Sequence, residues 1–265
     1  YTESNEVVFM GGGPASGKSS LTNTDTIVLP DRHVLVNADE AKDAIPEFAQ
    51  IIEQRGEWSV NAAAYVHEES SYMGKQLMSE ALDGSNNIVL DGTGDSSYAS
   101  LQKKVAEARA SSTRVTAEYV TIETEDAVRR SAARGRRSGR YVPERVVRDT
   151  HAGVSEVFPR AAADDLFDEI RLWDNNVPKG ERPILVYEKI AGQPERIIRP
   201  DLYDDFLAKN PDFVRPVVDV EDIVDLVDPS GTRASLDQVA VAWEAQAREG
   251  LEEMIALDSD YALTM

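Results

Sequence analysis

The amino-acid sequence predicts an α/β protein with a mostly parallel β-sheet that is covered by helices. Through the first two hundred residues, short apolar runs typical of buried strands alternate with longer runs typical of helices. A glycine-rich turn joins the first apolar run to a stretch that can begin a helix. With 265 residues and a hydrophobic fraction of 42%, the chain can bury one large core.

Six apolar runs are predicted to be strands, because each is short and is bounded by polar or turn-forming residues. They are Val7–Met10, Val34–Asn37, Asn87–Leu90, Val115–Val120, Glu169–Trp173 and Ile184–Glu188. The predicted helices between them are Ala62–Leu82, Tyr98–Ser111, Asp126–Arg137 and a helix from Pro143 to about Val157. The first of these helices carries an apolar stripe that consists of Val66, Met73, Leu77 and Ala81.

Residues 9–20, FMGGGPASGKSS, match the phosphate-binding pattern G-x-x-x-x-G-K-[ST]. Its glycines let successive backbone N–H groups turn inward, and the following helix N-terminus adds partial positive charge. Lys18 is expected to reach the β- and γ-phosphates, and the Ser19 hydroxyl to bind Mg²⁺. The residues predicted to bind ATP, here called the phosphate loop, are Gly12, Gly13, Pro14, Ala15, Ser16, Gly17, Lys18, Ser19 and Ser20. The alternative is a glycine-rich surface turn.

Two aspartates follow predicted strands, at the edge of the sheet where parallel sheets bind their ligands. Asp39 lies just past the second strand, where a carboxylate can orient and deprotonate the hydroxyl of a phosphate acceptor. Asp91 ends the third strand, a position typical of a metal-associated acid, and Thr93 offers its hydroxyl to a substrate. The alternative for each aspartate is a structural role as the N-cap of a following helix.

Basic residues are concentrated in one part of the chain, here called the arginine segment (Arg129–Arg148). It holds eight of the 28 basic residues: Arg129, Arg130, Arg134, Arg136, Arg137, Arg140, Arg145 and Arg148. The spacing of Arg130, Arg134 and Arg137 places them on one helix face, where guanidinium groups suit phosphate oxygens. The alternative is a surface helix paired with nearby acids.

The three histidines show no spacing typical of a metal site. His67 lies one helical turn from Ser70 and Ser71, so this helix face is expected to line the acceptor pocket, with Ser70 binding substrate. His33 and His151 are interpreted as structural residues.

The composition limits the partners. A formal net charge of −20 argues against general binding to nucleic acids or anionic membranes, because both would repel such a surface. The sequence has no apolar stretch of the roughly 20 residues that a membrane helix needs. It contains no cysteine, which excludes disulfides, thiolate metal sites and a cysteine nucleophile. We therefore expect a cytoplasmic protein with small-molecule substrates.

After Leu207 the sequence changes character. Prolines interrupt it, an acidic amphipathic stretch follows, and Ser235–Leu257 is predicted to be a helix that begins with a serine cap. The sequence therefore predicts a domain over residues 1–208, which carries the phosphate loop, and an acidic, mostly helical C-terminal extension over residues 209–265.

Together, the motifs GGGPASGKSS, VNADEAKDAIPEF, NIVLDGTGD, GRYVPERV and LFDEIRLWDNN resemble the zeta toxin family of P-loop kinases, from about Glu6 to Leu207. The resemblance implies phosphorylation of the 3′-hydroxyl of the sugar in UDP-N-acetylglucosamine, with ATP and Mg²⁺. It also implies a phosphotransferase-like sheet with a mobile arginine-bearing lid, and a helical antitoxin as a partner.

Several roles follow from the resemblance by position. Asp39 corresponds to the catalytic aspartate, and Arg134 and Arg140 correspond to the lid arginines that clamp the transferred phosphate, with Arg130 as an alternative to Arg134. The residues predicted to be catalytic are Asp39, Lys18, Arg134 and Arg140, and those predicted to bind the acceptor are Asp91, Thr93 and Ser70. The predicted Mg²⁺ ligands are Ser19 and Asp91.

The sequence departs from the family pattern at three positions. Asn37 replaces the first acid of the D-x-D-type motif, and Asp91 replaces the glutamate of the E-G-T-G motif. Asp95 stands where the family often has a basic residue. These changes leave the identity of the sugar nucleotide open. They have little effect on the predicted phosphate chemistry.

Two other functions stay open on the sequence. The first is a P-loop kinase for another hydroxyl acceptor, such as a nucleoside, an antibiotic or a polynucleotide end. The second is a non-catalytic nucleotide-binding module that serves protein interaction. A non-catalytic module is expected to lack some of the catalytic residues, whereas Lys18, Ser19 and Asp39 are all present.

Overall fold

The computed structural model describes residues 5–53, 62–92 and 97–213. The chain divides into two units, Tyr1–Phe213 and Val214–Met265. The described residues all belong to the first unit. The predicted helix at Ser235–Leu257, and with it the predicted extension from residue 214 onward, lies outside the described residues.

The described part of the chain forms a seven-stranded sheet. Its strands are β1 (Glu6–Gly11), β2 (His33–Val36), β3 (Asn87–Asp91), β4 (Arg114–Thr121), β5 (Glu169–Asp174), β6 (Ile184–Ile190) and β7 (Arg196–Ile197). The strand order is β2-β3-β1-β4-β5-β6-β7; the first five strands pair in parallel, β6 pairs antiparallel with β5, and β7 pairs antiparallel with β6. All six predicted strands and the mostly parallel sheet are confirmed. The sequence missed β7, which has only two residues.

Helices cover the sheet. They are α1 (Ser19–Asn23), α2 (Ala38–Ala41), α3 (Pro46–Glu53), α4 (Ala62–Tyr65), α5 (His67–Asp83), α6 (Tyr98–Ser111), α7 (Thr124–Ser138), α8 (Glu144–Ala163) and α9 (Pro200–Leu207). A short 3₁₀ turn over Lys42–Ala44 joins α2 to α3. Within the described ranges, no helix is long and apolar enough to cross a membrane.

Two helices differ from their predictions. The predicted helix Ala62–Leu82 is interrupted at Val66, which leaves the helical backbone conformation with φ −113° and ψ 17°. Helix α8 continues past the predicted end at Val157 to Ala163 and includes Pro159, which is buried.

The predicted apolar stripe on α5 is wrong for Met73 and Leu77, which are 39% and 40% exposed. The face that α5 buries holds Ser70, Gly74 and Ala81 instead. A side chain at Gly74 would lie 3.7 Å from the Ala38 side chain, so a small residue there lets α5 pack closely against α2. The buried face of α5 therefore consists of small residues, whereas the hydrophobic pattern predicted larger apolar ones.

An aromatic cluster holds α8 against the sheet. The ring of Phe158 is fully buried and packs edge-on against Tyr119 of β4, Tyr187 of β6 and Phe206 of α9. The ring centroids are 5.2 to 5.5 Å apart, the spacing that aromatic pairs prefer. Because α8 is fixed in this way, His151, two helical turns before Phe158, lies directly behind the phosphate loop.

We expect Phe158→Ala to lower the free energy of unfolding by about 3 to 5 kcal/mol, because it removes a fully buried ring and leaves a cavity. Urea denaturation measures the difference. The matched control is Val28→Ala, since Val28 is 95% exposed and its truncation should change stability by less than about 0.5 kcal/mol. Equal losses for the two variants would contradict the assignment of Phe158 to the core.

Candidate active site

Most of the predicted site residues gather at the carboxyl end of β1. Strands β3 and β4 lie on opposite sides of β1, so the chain connections diverge there and leave a crevice, as in other open parallel sheets. A cavity of about 1300 Å³ occupies this crevice. Its walls come from the phosphate loop, α2, α5, α6, α7 and the segment that follows β5.

The phosphate loop has the backbone that its glycines predict. Gly12 and Gly17 have φ values of +134° and +88°, in the region that favours glycine. A side chain at Gly12 would lie 2.4 Å from the Val120 carbonyl oxygen of β4. The loop residues that line the cavity are Ala15, Gly17, Lys18, Ser19 and Ser20, and the remaining four, Gly12, Gly13, Pro14 and Ser16, complete the turn.

The strand register brings Asp91 to the phosphate loop. Asp91 pairs with Met10, the residue before the end of β1, and its carboxylate lies 3.7 Å from the Lys18 ammonium. Burial raises the pKa of Asp91, and the charge of Lys18 opposes this shift. Burial likewise lowers the pKa of Lys18, against the charges of Asp91 and Asp39. Because both groups are largely removed from water, each charged form is stable only beside an opposite charge, which its partner or a ligand provides.

Asn37 organises this corner of the site. Its side-chain oxygen accepts hydrogen bonds from the N–H groups of Asp39 at 2.8 Å and Glu40 at 3.3 Å, so Asn37 is the N-cap of α2. Its side-chain nitrogen donates to Asp91 at 2.9 Å. The alternative that Asp39 caps this helix is therefore wrong. The predicted strand Val34–Asn37 included Asn37, which instead follows β2 and caps α2; an asparagine directly before a helix is a known capping signal.

The Asp39 carboxylate contacts two cations. Lys42 donates to one oxygen at 2.6 Å, and Arg134 of α7 donates to the other at 2.9 Å. Burial by itself would raise the pKa of Asp39, but the hydrogen bonds and charges of Lys42 and Arg134 outweigh it and hold this pKa at about 2. The carboxylate is therefore ionised at neutral pH and is fixed in position on the cavity wall.

Lys42 is a site residue that the sequence analysis missed. Its side chain is only 6% exposed, lines the cavity and places its ammonium group against Asp39. A lysine is rarely buried unless its charge is paired. The three-residue spacing between Asp39 and Lys42 in a helical stretch was the signal that could have identified the pair.

The arginine segment is divided between the cavity and the surface. Arg130, Arg134 and Arg137 all line the cavity, as their spacing on one helix face predicts. Arg140 lines it as well; it follows the left-handed C-cap residue Gly139 and donates to Asp43 at 2.6 Å. Four arginines of the segment therefore line the same cavity as the phosphate loop.

The surface alternative is right for other members of the segment. Arg145 lies 3.4 Å from Asp149 on the same helix, and both side chains are exposed. Arg148 donates to Glu125 and to Glu144 at 2.6 and 2.7 Å. Such exposed pairs contribute little to stability.

The structure does not bring Ser70 to the cavity. Ser70 is fully buried, and its hydroxyl donates to the His67 carbonyl at 3.0 Å. Its neighbour Ser71 lines the cavity instead, together with His67 itself. The predicted substrate residue Thr93, and Asp95 beyond it, lie outside the described residues.

The oxygen atoms of Ser19 and Asp91 suit a magnesium ion. Both side chains line the cavity beside the phosphate loop, and Mg²⁺ usually takes one or two such protein ligands and completes its shell with phosphates and water. Over residues 5–53, 62–92 and 97–213, no three histidine, cysteine or acidic side chains form a self-contained metal cluster. The residues present therefore fit a metal that is bound together with a phosphate ligand.

The sequence matches a known family model. The model described as zeta toxin matches residues 2–179. A comparison with curated proteins finds no match.

Several solved structures share the fold. A chain of the PezAT chromosomal toxin-antitoxin system of Streptococcus pneumoniae aligns with a TM-score of 0.56 at 11% identity, covering 85% of each chain. A chain of the AvrRxo1-ORF1:-ORF2 complex with ATP aligns with a TM-score of 0.59 at 17% identity, covering 94% of this chain and 76% of that one. The native AvrRxo1 complex gives a TM-score of 0.57 at 19% identity with the same coverage. At these identities the likeness concerns the fold, which is the P-loop kinase-like, mostly parallel sheet that the sequence predicts.

We expect Asp39→Asn to lower the free energy of unfolding at neutral pH by about 1 kcal/mol. It replaces a carboxylate that accepts two charge-assisted hydrogen bonds by a neutral amide that can accept only one of them, at a side chain that is 45% exposed and therefore partly screened by water. Because the pKa of Asp39 is about 2 in the folded chain and ordinarily 3.8, this contribution is complete above pH about 4 and is lost as the pH falls toward 2.

Urea denaturation of both proteins at several pH values between about 7 and 3 measures this difference. The exposed acid Asp43 provides the control, since Asp43→Asn should show a smaller and flatter difference. A wild-type advantage that stays constant down to the lowest pH would contradict the low pKa of Asp39.

Proposed function

Because the chain belongs to the zeta toxin family, we propose that it is an ATP-dependent kinase that phosphorylates a sugar hydroxyl of a UDP-sugar such as UDP-N-acetylglucosamine. The observation that carries the proposal is the convergence of Lys18, Asp39 and Arg134 on one cavity. They come from three distant parts of the chain, and phosphoryl transfer needs these parts together: a phosphate cradle, a proton acceptor and cations over the transferred group.

ATP binds with its triphosphate along the phosphate loop. The N–H groups of this loop and of the first turn of α1 point their partial positive charge at the phosphates, and Lys18 adds a full charge. Ser19 and Asp91 would hold Mg²⁺, which when bound neutralises negative charge on the β- and γ-phosphates. Arg134 and Arg140, which line the same cavity, are the residues that we expect to contact the γ-phosphate.

Asp39 accepts the proton of the acceptor hydroxyl. Without substrate its two oxygens are engaged by Lys42 and Arg134, which makes it a weak base. When Arg134 turns to the γ-phosphate, one of these interactions is lost and the pKa of Asp39 moves back toward its ordinary value. Binding of ATP thus prepares the base for the acceptor, since the same guanidinium group serves both.

The acceptor occupies the part of the cavity that α5 and α6 line. Ser71 and Ser79 offer hydroxyl groups there, and Lys75 and Lys104 offer ammonium groups. Two lysines beside hydroxyl donors suit the diphosphate and the sugar of a UDP-sugar. A long nucleic acid fits poorly with a chain of net charge −20.

A protein inhibitor is a further expectation. The Streptococcus pneumoniae neighbour belongs to a toxin-antitoxin system, and this supports an antitoxin partner for the present chain. The reaction is placed in the cytoplasm, which fits a chain without cysteine.

The acceptor is tested by incubating the protein with γ-labelled ATP and Mg²⁺ and, separately, with UDP-sugars, nucleosides, aminoglycoside-type antibiotics and 5′-hydroxyl oligonucleotides. We expect label in a UDP-sugar, because Lys75 and Lys104 both line the cavity and their positive charge suits a diphosphate. If only another acceptor is labelled, the protein is a kinase but its acceptor is not a UDP-sugar. ATP binding without any labelled product would favour a non-catalytic nucleotide-binding module.

The base is tested with Asp39→Asn, which we expect to lower kcat by about 10²- to 10⁴-fold because the amide accepts no proton. The affinity for ATP should not fall, since Lys42 and Arg134 become available to the phosphates. Asp43→Asn is the matched control; its exposed carboxylate pairs with Arg140 in the same region. If the Asp39 variant turns over as fast as this control, the base assignment is wrong.

A further inference from the structure

Two carbonyl groups of the phosphate loop are bound by side chains from distant parts of the chain. The ring nitrogen Nε2 of His151 in α8 lies 3.0 Å from the Pro14 carbonyl oxygen. The amide nitrogen of Asn175, directly after β5, donates to the Ser16 carbonyl oxygen at 2.9 Å. Both side chains are almost completely buried, at 3% and 5% exposure.

His151 acts here as a neutral hydrogen-bond donor. Burial lowers the pKa of His151 to about 4, so the ring carries a single N–H at neutral pH. A carbonyl oxygen can only accept, which assigns that hydrogen to Nε2. Asn175 is likewise assigned by its partner, since only its amide nitrogen can donate to the Ser16 carbonyl.

These two bonds orient the N–H groups that follow. In a planar trans peptide the carbonyl of one residue and the N–H of the next point in opposite directions. With the Pro14 and Ser16 carbonyls directed at His151 and Asn175, the N–H groups of Ala15 and Gly17 are directed away from them. Ala15 and Gly17 line the cavity, whereas Pro14 and Ser16 do not.

We propose that His151 and Asn175 are positioning residues for the phosphate loop: each holds one carbonyl so that the next N–H points at bound phosphate. The inference rests on the proposed function, because it assumes that the phosphate loop binds ATP. It deepens that function by assigning the preorganisation of the cradle to two side chains that do not belong to the loop motif.

The backbone of the loop supports this role. Ala15 has φ +61°, a left-handed conformation that non-glycine residues adopt only where the surroundings impose it. The Pro14 carbonyl belongs to the peptide group before Ala15, and the Ser16 carbonyl to the peptide group after Ser16. Because His151 and Asn175 bind these two carbonyls, they supply the surroundings that impose this conformation. Without them the loop can relax to backbone conformations in which the N–H groups no longer converge.

Two glycines of the loop pack closely against the same two side chains, His151 and Asn175. A side chain at Gly13 would lie 2.3 Å from the His151 ring, and one at Gly17 would lie 2.2 Å from the Asn175 amide nitrogen. Glycine at these positions therefore lets the two donors approach the loop closely enough to bind its carbonyls. Gly13 is not part of the G-x-x-x-x-G-K pattern, so contact with His151 accounts for a residue that the motif leaves unexplained.

The test compares the binding of MgATP and of Mg²⁺-tripolyphosphate, by calorimetry, to the wild type and to His151→Leu, His151→Gln and Asn175→Leu. Leucine removes each donor at similar volume, and we expect about tenfold weaker binding of both ligands. The side-chain nitrogen of glutamine can reach the position of Nε2, so His151→Gln should bind within about threefold of the wild type. A purely structural histidine would not show this rescue.

His33→Leu is the matched control. His33 also contacts a proline carbonyl, that of Pro30 at 2.8 Å through Nδ1, but away from the phosphate loop. It should leave both affinities unchanged. Thermal unfolding without ligand identifies the folded fraction of each variant, so that a loss of stability is not counted as a loss of affinity; Asn175→Leu keeps the test available if His151→Leu does not fold.

The outcomes separate the two proposals. If the wild type binds MgATP and the two leucine variants bind it equally well, the positioning role is wrong and the kinase proposal stands. Weaker binding of ATP with unchanged binding of tripolyphosphate also overturns the positioning role, because the loss then lies outside the phosphate cradle. If the wild type itself binds no ATP, both proposals are overturned together.

Discussion

The parallel register of β2, β3 and β1 is the constraint on which the site depends. Pairing of Met10 with Asp91 and of Val36 with Leu90 brings the ends of three strands to one line at the sheet edge. Asn37 thereby reaches Asp91, and Asp91 reaches the phosphate loop. A shift of one residue in the pairing of β3 would turn Asp91 to the other face of the sheet and separate it from Asn37 and Lys18.

Within this frame the cavity balances its own charges. Three of its cations, Lys18, Lys42 and Arg134, face carboxylates, so these buried or half-buried charges are paired. A bound polyphosphate would replace the carboxylates as the partner of these cations, so the cations are paired before and after binding. The cavity can therefore bind phosphate although the chain has a net charge of −20. At short range the electric field comes from the nearby cations, whereas distant surface charges are screened by salt.

Helix α8 links the stability of the fold to the shape of the loop. Phe158 and His151 are seven residues apart and lie on the same side of the helix. Phe158 anchors the helix in the aromatic core, and His151 uses that rigid position to hold the Pro14 carbonyl. A loop whose φ values are costly in isolation is thus stabilised by packing that belongs to the core.

Six of the seven described strands, the phosphate loop and the arginine face of α7 could be predicted from the sequence, because each depends on spacing between neighbouring residues. The cap that Asn37 forms on α2, the inward position of Ser70 and the contact of His151 with the loop, 137 residues away, became apparent in the folded chain alone. Such contacts depend on strand register and on how closely helices approach. Local periodicity carries no information about either, since both arise only when the whole core is packed.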